Sequence, residues 1–338
     1  MSSVTPEGAA IELEPALRAI RDRGSKTVGI QYPDGLRLRA LEVADRLEAK
    51  AKVTVMVSAQ PTYGACDVPQ MPVDLILQIG HAPMPYLNLK KVVFVEAPMA
   101  FPSLDFLEGA LPRLGRRVGL LTNVQHQPWL PEVAAYLSTR GKVVEIGGAD
   151  GRTAYAGQLL GCDVHPAREL EGRVDTFLYV GTGDFHPLGV ALATATPVIV
   201  ADPFTEDVRD LTELKEHVLR VRHAAIALAR EGETFGIIVS RKVGQYRMAL
   251  ARKIKELLAS AGRKGYLLLM DTVSPELLQG YRVDAFVNTA CPRIAIDDSA
   301  RYEKPVLTFP ELEVALDLRA WDPYPLDEIT AHQTLGES

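Results

Sequence analysis

The chain has 338 residues, 47% of them apolar and 24% charged, with a net charge of −6. That length accommodates two or three soluble domains, and the acidic balance argues against a nucleic-acid binder, which would show a basic face. No apolar run is long enough to cross a bilayer, residues 1–10 lack a basic-then-apolar leader pattern, and an odd count of three cysteines suits a reducing, cytoplasmic compartment without disulfides.

In chain order, Ile11, Leu13, Leu17 and Ile20 predict an N-terminal helix. Short β-branched runs then predict strands at 27–31, 53–57, 73–77 and 91–95. Between the first two lies a helical pattern on Leu36, Leu38, Leu41, Val43, Ala44 and Leu47. The cluster Arg113-Leu114-Gly115-Arg116-Arg117 reads as a solvated helix end. Strands follow at 118–122, 143–146, 174–178 and 197–200, with a helix on Trp129, Val133, Ala134 and Leu137. A long helix is predicted over 206–230, striped by Val208, Leu211, Leu214, Val218, Val221 and Ala225. The last set is strands at 235–240, 266–270, 283–287 and 305–308, with a helix on Tyr246, Met248, Ala249, Ile254, Leu257 and Leu258. The last dozen residues read as a frayed tail.

These elements form a threefold repeat. Its signature is Val73-Asp74, Val174-Asp175 and Val283-Asp284, each opening an apolar strand. Each unit reads as a small parallel sheet with helices on its faces, because parallel connections need crossovers. The expected architecture is α/β, with three similar small parallel-sheet domains in a pseudo-threefold triangle. The expected boundaries are 1–110 (first repeat with the N-terminal helix), 111–230 (second repeat with the connecting helix) and 231–338 (third repeat with the tail).

Ligands of parallel sheets bind beyond the carboxyl ends of the strands, and polar turns fall there. Asn123, Gln125 and His126 follow one strand, with His126 equally readable as a capping or surface residue. Lys242 and Gln245 lie in the turn after residue 240. The densest turn is Gly181-Thr182-Gly183-Asp184-Phe185-His186-Pro187, where two glycines permit close backbone approach. Arg293 offers a planar fork for a carboxylate, or an ion pair with Asp297 or Asp298.

Cys66, Cys162 and Cys291 stand 96 and 129 residues apart, so only a fold that joins three distant segments would gather them. Gathered, they would hold three corners of an iron–sulfur cluster and leave one iron open. Zinc is the weaker reading, since no Cys-x-x-Cys pair exists. Separate buried thiols are a third.

Tyr32-Pro33-Asp34-Gly35-Leu36, Tyr63-Gly64-Ala65-Cys66, Leu160-Gly161-Cys162-Asp163, the turn from Gly181 to Pro187, and Cys291-Pro292-Arg293-Ile294 together resemble the archaeal diphthamide biosynthesis enzymes, the 2-(3-amino-3-carboxypropyl)histidine synthases. The resemblance runs from Gln31 to about Leu316. It implies three α/β domains, a homodimer and one [4Fe–4S] cluster on Cys66, Cys162 and Cys291. It further implies a radical transfer of the 3-amino-3-carboxypropyl group from S-adenosylmethionine to C2 of a histidine imidazole in translation elongation factor 2, served by an electron donor. The Cys-x-x-x-Cys-x-x-Cys loop of ordinary radical S-adenosylmethionine enzymes is absent. Gly181, Thr182, Gly183, Asp184, His186, Lys242, Gln245 and Arg293 are the candidates for holding S-adenosylmethionine, and no catalytic residue is assigned beyond the cluster ligands. The competing readings are a quinolinate synthase-like cluster dehydratase, a non-catalytic cluster-carrying subunit that supports a catalytic paralogue, and a metal-free binding module.

Overall fold

The computed structural model describes residues 9–330. The expected polar N-terminus and frayed tail fall mostly outside them. The first sheet contains β1 (Thr27–Gln31), β2 (Thr54–Val57), β3 (Leu75–Ile79) and β4 (Val92–Val95), in the order β2-β1-β3-β4. The second contains β5 (Arg117–Thr122), β6 (Val143–Glu145), β7 (Thr176–Val180), β8 (Val198–Ala201) and β9 (Val208–Asp210), in the order β6-β5-β7-β8-β9. The third contains β10 (Thr234–Ser240), β11 (Lys264–Met270), β12 (Ala285–Asn288) and β13 (Val306–Thr308), in the order β11-β10-β12-β13. All pairings are parallel except that of β8 with β9. The repeated α/β architecture is therefore as the sequence implies.

Two repeated devices explain the signature. Asp74 accepts the backbone N–H groups of Lys26 and Thr27, Asp175 that of Arg117, and Asp284 those of Glu233 and Thr234. Each aspartate thus satisfies donors at the entry of its central strand, which would otherwise lack partners. Each central strand also carries a glycine, at Gly29, Gly119 and Gly236. A Cβ at Gly119 or Gly236 would stand 2.6 Å from the ring of Phe177 or Phe286 on the adjoining strand. Sheet and large side chain pack together only where the strand is bare.

Crossover helices Ala40–Ala51, Leu130–Thr139 and Met248–Ser260 link the central strand of each sheet to its edge. In the first, Val43, Ala44 and Leu47 are buried, but Leu38 and Leu41 are 88% and 68% exposed. The predicted stripe failed at Leu38 because Asp34–Arg39 is a 3₁₀ helix, whose three-residue period turns that position outward, and at Leu41 because it lies off the α-helix's buried face of Val43, Ala44 and Leu47. The predicted helix over 206–230 is also corrected. Helix begins only at Thr212, whose N–H is taken by the Asp210 carboxylate at 3.0 Å. Val208, Arg209 and Asp210 instead pair antiparallel with β8. The buried face of helix Thr212–Arg230 runs through Val218, Arg222, Ile226 and Ala229, so an arginine occupies its centre.

Candidate active site

Cys66 lies in the β2–β3 loop, Cys162 in the β6–β7 loop, and Cys291 just after β12. All three, one from each domain, line a single cavity of about 200 Å³. Its other walls come from residues beyond the carboxyl ends of strands: His81 and Pro83 after β3, Asn123 and Gln125 after β5, Phe185 and His186 after β7, and Gln245 after β10. This is the position that parallel-sheet geometry favours for a ligand.

Local hydrogen bonds fix each cysteine. Gly64 (φ 155°) turns the first loop, and Gln78 donates to its carbonyl at 3.4 Å. The second loop runs beside β5, with Thr122 N–H on Gly157 O and Leu159 N–H on Thr122 O. The Ile329 N–H donates to Cys162 O at 2.9 Å, tying the C-terminal segment to this loop. In the third loop, Asn288 donates to Cys291 O at 2.7 Å and accepts from Ala290 N–H at 2.9 Å. Arg247, fully buried, donates to Thr289 O and Ala290 O and pairs bidentately with Asp327.

The sulfurs have N–H partners. Gln245 Nε2 donates to Cys66 Sγ at 3.2 Å, and Arg152 Nη2 to Cys162 Sγ at 3.3 Å. Burial pushes the Cys66 thiol up to about 11, with Cys162 adding to the shift. Burial, then Cys162 and Cys66, raise Cys291 as well, while the backbone N–H of Arg293 works against it. Lining one cavity, the three thiols are close enough for ionised sulfurs to repel one another. Among the described residues no three His, Cys, Asp or Glu side chains close tightly enough around one point to hold a single metal ion. A polynuclear cluster is held from further apart, through its corner irons. The donor set fits one: soft sulfur ligands, N–H groups directed at them, and no carboxylate in the cavity lining. A bound cationic centre would deprotonate the thiols outright.

The domain joints meet at the same place. Gly244 N–H donates to Cys66 O at 3.0 Å, and Lys242 Nζ reaches Asp67 at 2.6 Å while lying over the Tyr63 ring. A second cavity, of about 360 Å³, adjoins the first across Tyr63, Phe185, Gln245 and Cys291. Lys242 and Arg293 border it.

Of the candidate residues, His186 and Gln245 line the thiol cavity, and Lys242 and Arg293 the second. Gly181, Thr182, Gly183 and Asp184 line neither, and Asp184 pairs with Arg209 at 2.7 Å. Arg293 pairs with Asp297 at 2.5 Å, stacks against Phe185, and keeps Nη1 without a partner. His186 stacks on Tyr179, and burial followed by the Arg293 charge lowers its imidazole to about 4. Burial lowers His81 likewise to about 4. His126 lies away from the cavity between Phe101 and Phe204, with Nδ1 3.1 Å from Met99 O. Sequence reasoning missed Arg152, His81 and Gln158. Only Arg152 left a trace, as a charged residue in the glycine-rich run 147–152 ahead of Cys162.

Fold and site together define a class: a three-domain α/β protein built around one thiol centre to which each domain contributes a cysteine. The chain belongs to the family described as "Putative diphthamide synthesis protein", whose model matches residues 32–325. It is 36% identical over 321 residues to the 2-(3-amino-3-carboxypropyl)histidine synthase of Pyrococcus horikoshii, covering 93% of this chain and 92% of that one. It is 27% identical to the synthase of the same name from Methanocaldococcus jannaschii, over 94% and 93% of the two chains. The crystal structure of Dph2 from Pyrococcus horikoshii with a 4Fe-4S cluster superposes with a TM-score of 0.86 at 36% identity, covering 95% and 94%.

Proposed function

We propose that the protein transfers the 3-amino-3-carboxypropyl group of S-adenosylmethionine to C2 of a histidine imidazole in translation elongation factor 2, by a radical route, as the first step of diphthamide biosynthesis. Cys66, Cys162 and Cys291 would hold a [4Fe–4S] cluster. The observation that carries this reading is the convergence of one thiol from each of three domains on one cavity. When bound, the cluster would supply an electron for cleavage of the sulfonium, with methylthioadenosine as the leaving product, and an open iron to which S-adenosylmethionine could bind.

The chain's own residues bind and orient. His81 and His186 stay neutral near pH 7, being lowered to about 4. They therefore do not repel a sulfonium cation. Gly181, Thr182, Gly183 and Asp184 form the turn that aims His186 into the cavity. Gln245 and Lys242 act from the opposite domain, and Arg293, which borders the second cavity, is assigned the methionine carboxylate. Arg293→Ala weakens S-adenosylmethionine binding on this assignment, and unchanged affinity in a titration removes it. Tyr63 and Phe185, 63% and 44% exposed, flank both cavities and offer rings against which an imidazole would stack.

The resemblance also implies a second copy of the chain, and β11 offers it a place. This seven-residue strand is a sheet edge, and Tyr266, Leu267 and Leu269 on it are exposed. Such an edge favours pairing with another strand.

The deciding experiment is anaerobic purification, reduction with dithionite, and incubation with S-adenosylmethionine and elongation factor 2. Mass spectrometry should detect the added group, and each single Cys→Ala variant should abolish it. A cluster-loaded protein that cleaves no S-adenosylmethionine overturns the catalytic reading in favour of a supporting subunit, and quinolinate formation would favour the dehydratase.

A further inference from the structure

We infer that Arg152 is the charge that sets the electron affinity of the three-thiol centre, acting through its contact with Cys162. This inference rests on the reading of the three cysteines as cluster ligands.

Four arginines are buried among the described residues: Arg152, Arg222, Arg247 and Arg293. Three of them meet a carboxylate at hydrogen-bond distance: Arg222 with Glu311, Arg247 with Asp327, and Arg293 with Asp297. Arg152 is the exception. Its side chain is fully buried, yet the carboxylate it meets, on Asp163, stands at 3.8 Å, and both its Nε and that Asp163 Oδ2 lack hydrogen-bond partners. A buried guanidinium without a bonded anion is costly, so the charge needs another counterpart.

The cavity supplies one. Nη2 points at Cys162 Sγ, 3.3 Å away, while Nη1 donates to Tyr86 Oη at 3.0 Å and the group lies over the Tyr86 ring. Tyr86 belongs to the first domain, and its N–H also bonds Gly151 O. The guanidinium is thereby held against the sulfur from both sides of a domain joint. Cys66, by contrast, meets the neutral amide of Gln245, and Cys291 a backbone N–H. Of these three donors only Arg152 brings a full charge. A fixed positive charge beside a redox centre stabilises the form holding the extra electron, and net charge and hydrogen bonds to sulfur are established controls of cluster potential. Arg152 therefore raises the potential of the centre and eases its loading by a donor.

The test uses the full chain, reconstituted anaerobically with iron and sulfide, its iron counted per chain and its midpoint potential read by an EPR-monitored redox titration. Arg152→Gln keeps donor atoms without the charge, and Arg152→Lys keeps the charge without the fork. Arg152→Gln is expected to titrate at more negative potential, with Arg152→Lys close to the unsubstituted protein. Equal potentials for Arg152→Gln and the unsubstituted protein, at equal iron content, overturn the inference. Should Arg152→Gln fail to retain iron, retention by Arg152→Lys sustains the role of charge, and loss in both variants overturns it in favour of a purely structural fork. If the unsubstituted protein itself takes up no iron and sulfide, the cluster reading fails instead.

Discussion

Gly244 is where the third domain touches the first cysteine, and Gly244→Ala tests whether that contact sets the thiol. A Cβ at this position would lie 2.4 Å from Cys66 Cβ and 2.7 Å from Cys66 Cα. Ordinary carbon–carbon contact begins near about 3.5 Å, so one loop must retreat by roughly 1 Å. Overpacking of this kind costs about 1–3 kcal/mol. The Gly244–Cys66 backbone bond and the Gln245–Cys66 contact lie on the same two loops and would stretch with it. A misplacement of about 1 Å at a reacting centre lowers turnover on the order of a hundredfold. The assay is iron and sulfide per chain after anaerobic reconstitution, read beside the thermal midpoint and the rate of group transfer. Gly35→Ala is the control, because a Cβ there meets nothing within 4 Å. If Gly244→Ala loads iron and turns over like the Gly35→Ala control, the close approach does not position Cys66 and the reasoning fails.

Arg222 donates to Glu311, Ala295 O and Val306 O, all buried. Arg222→Met leaves the Glu311 carboxylate buried without its cation, a loss of about 3–5 kcal/mol. In the native fold the net effect on Glu311 is a lowered pKa, burial being outweighed by Arg222, so its contribution is present above the unfolded carboxylate pKa and fades as pH falls through the folded one. In the variant burial dominates and raises the folded pKa. The deficit should therefore shrink as pH falls through that raised value, and urea midpoints showing equal losses at pH 7.5 and pH 5 would contradict this. Asp327→Ala leaves Arg247 buried without its carboxylate, beside the segment whose Ile329 holds Cys162 O. It should cost about 3–5 kcal/mol in chemical denaturation and lower iron uptake, and a variant as stable as its parent would refute it. If the chain pairs along β11 as proposed, Leu269→Lys, which places a charge on that edge, should lower the light-scattering mass from two chains to one; an unchanged mass removes β11 as the contact.

The sequence carried the repeat because the repeat has backbone causes. Asp74, Asp175 and Asp284 recur because three strand entries need an acceptor, and Gly29, Gly119 and Gly236 because three strands lie under large side chains. Such needs are local and write themselves into neighbouring letters. The cysteines were legible for the opposite reason: with only three in the chain and no short spacing between them, a shared site had to be tertiary. What stayed hidden was buried charge. Arg222 sits four residues after Val218 and four before Ile226, on the apolar face of its helix. A stripe drawn through hydrophobic letters alone steps around it to Val221 and Ala225. Arg247 and Arg152 are masked in the same way, because their partners Asp327 and Tyr86 lie 80 and 66 residues off. An arginine reads as surface until a distant element encloses it. In this fold the enclosing elements are the domain joints, where the thiols also meet. Of the arginines that pattern reasoning assigns to solvent, Arg152 is the one whose guanidinium reaches a thiol of the site.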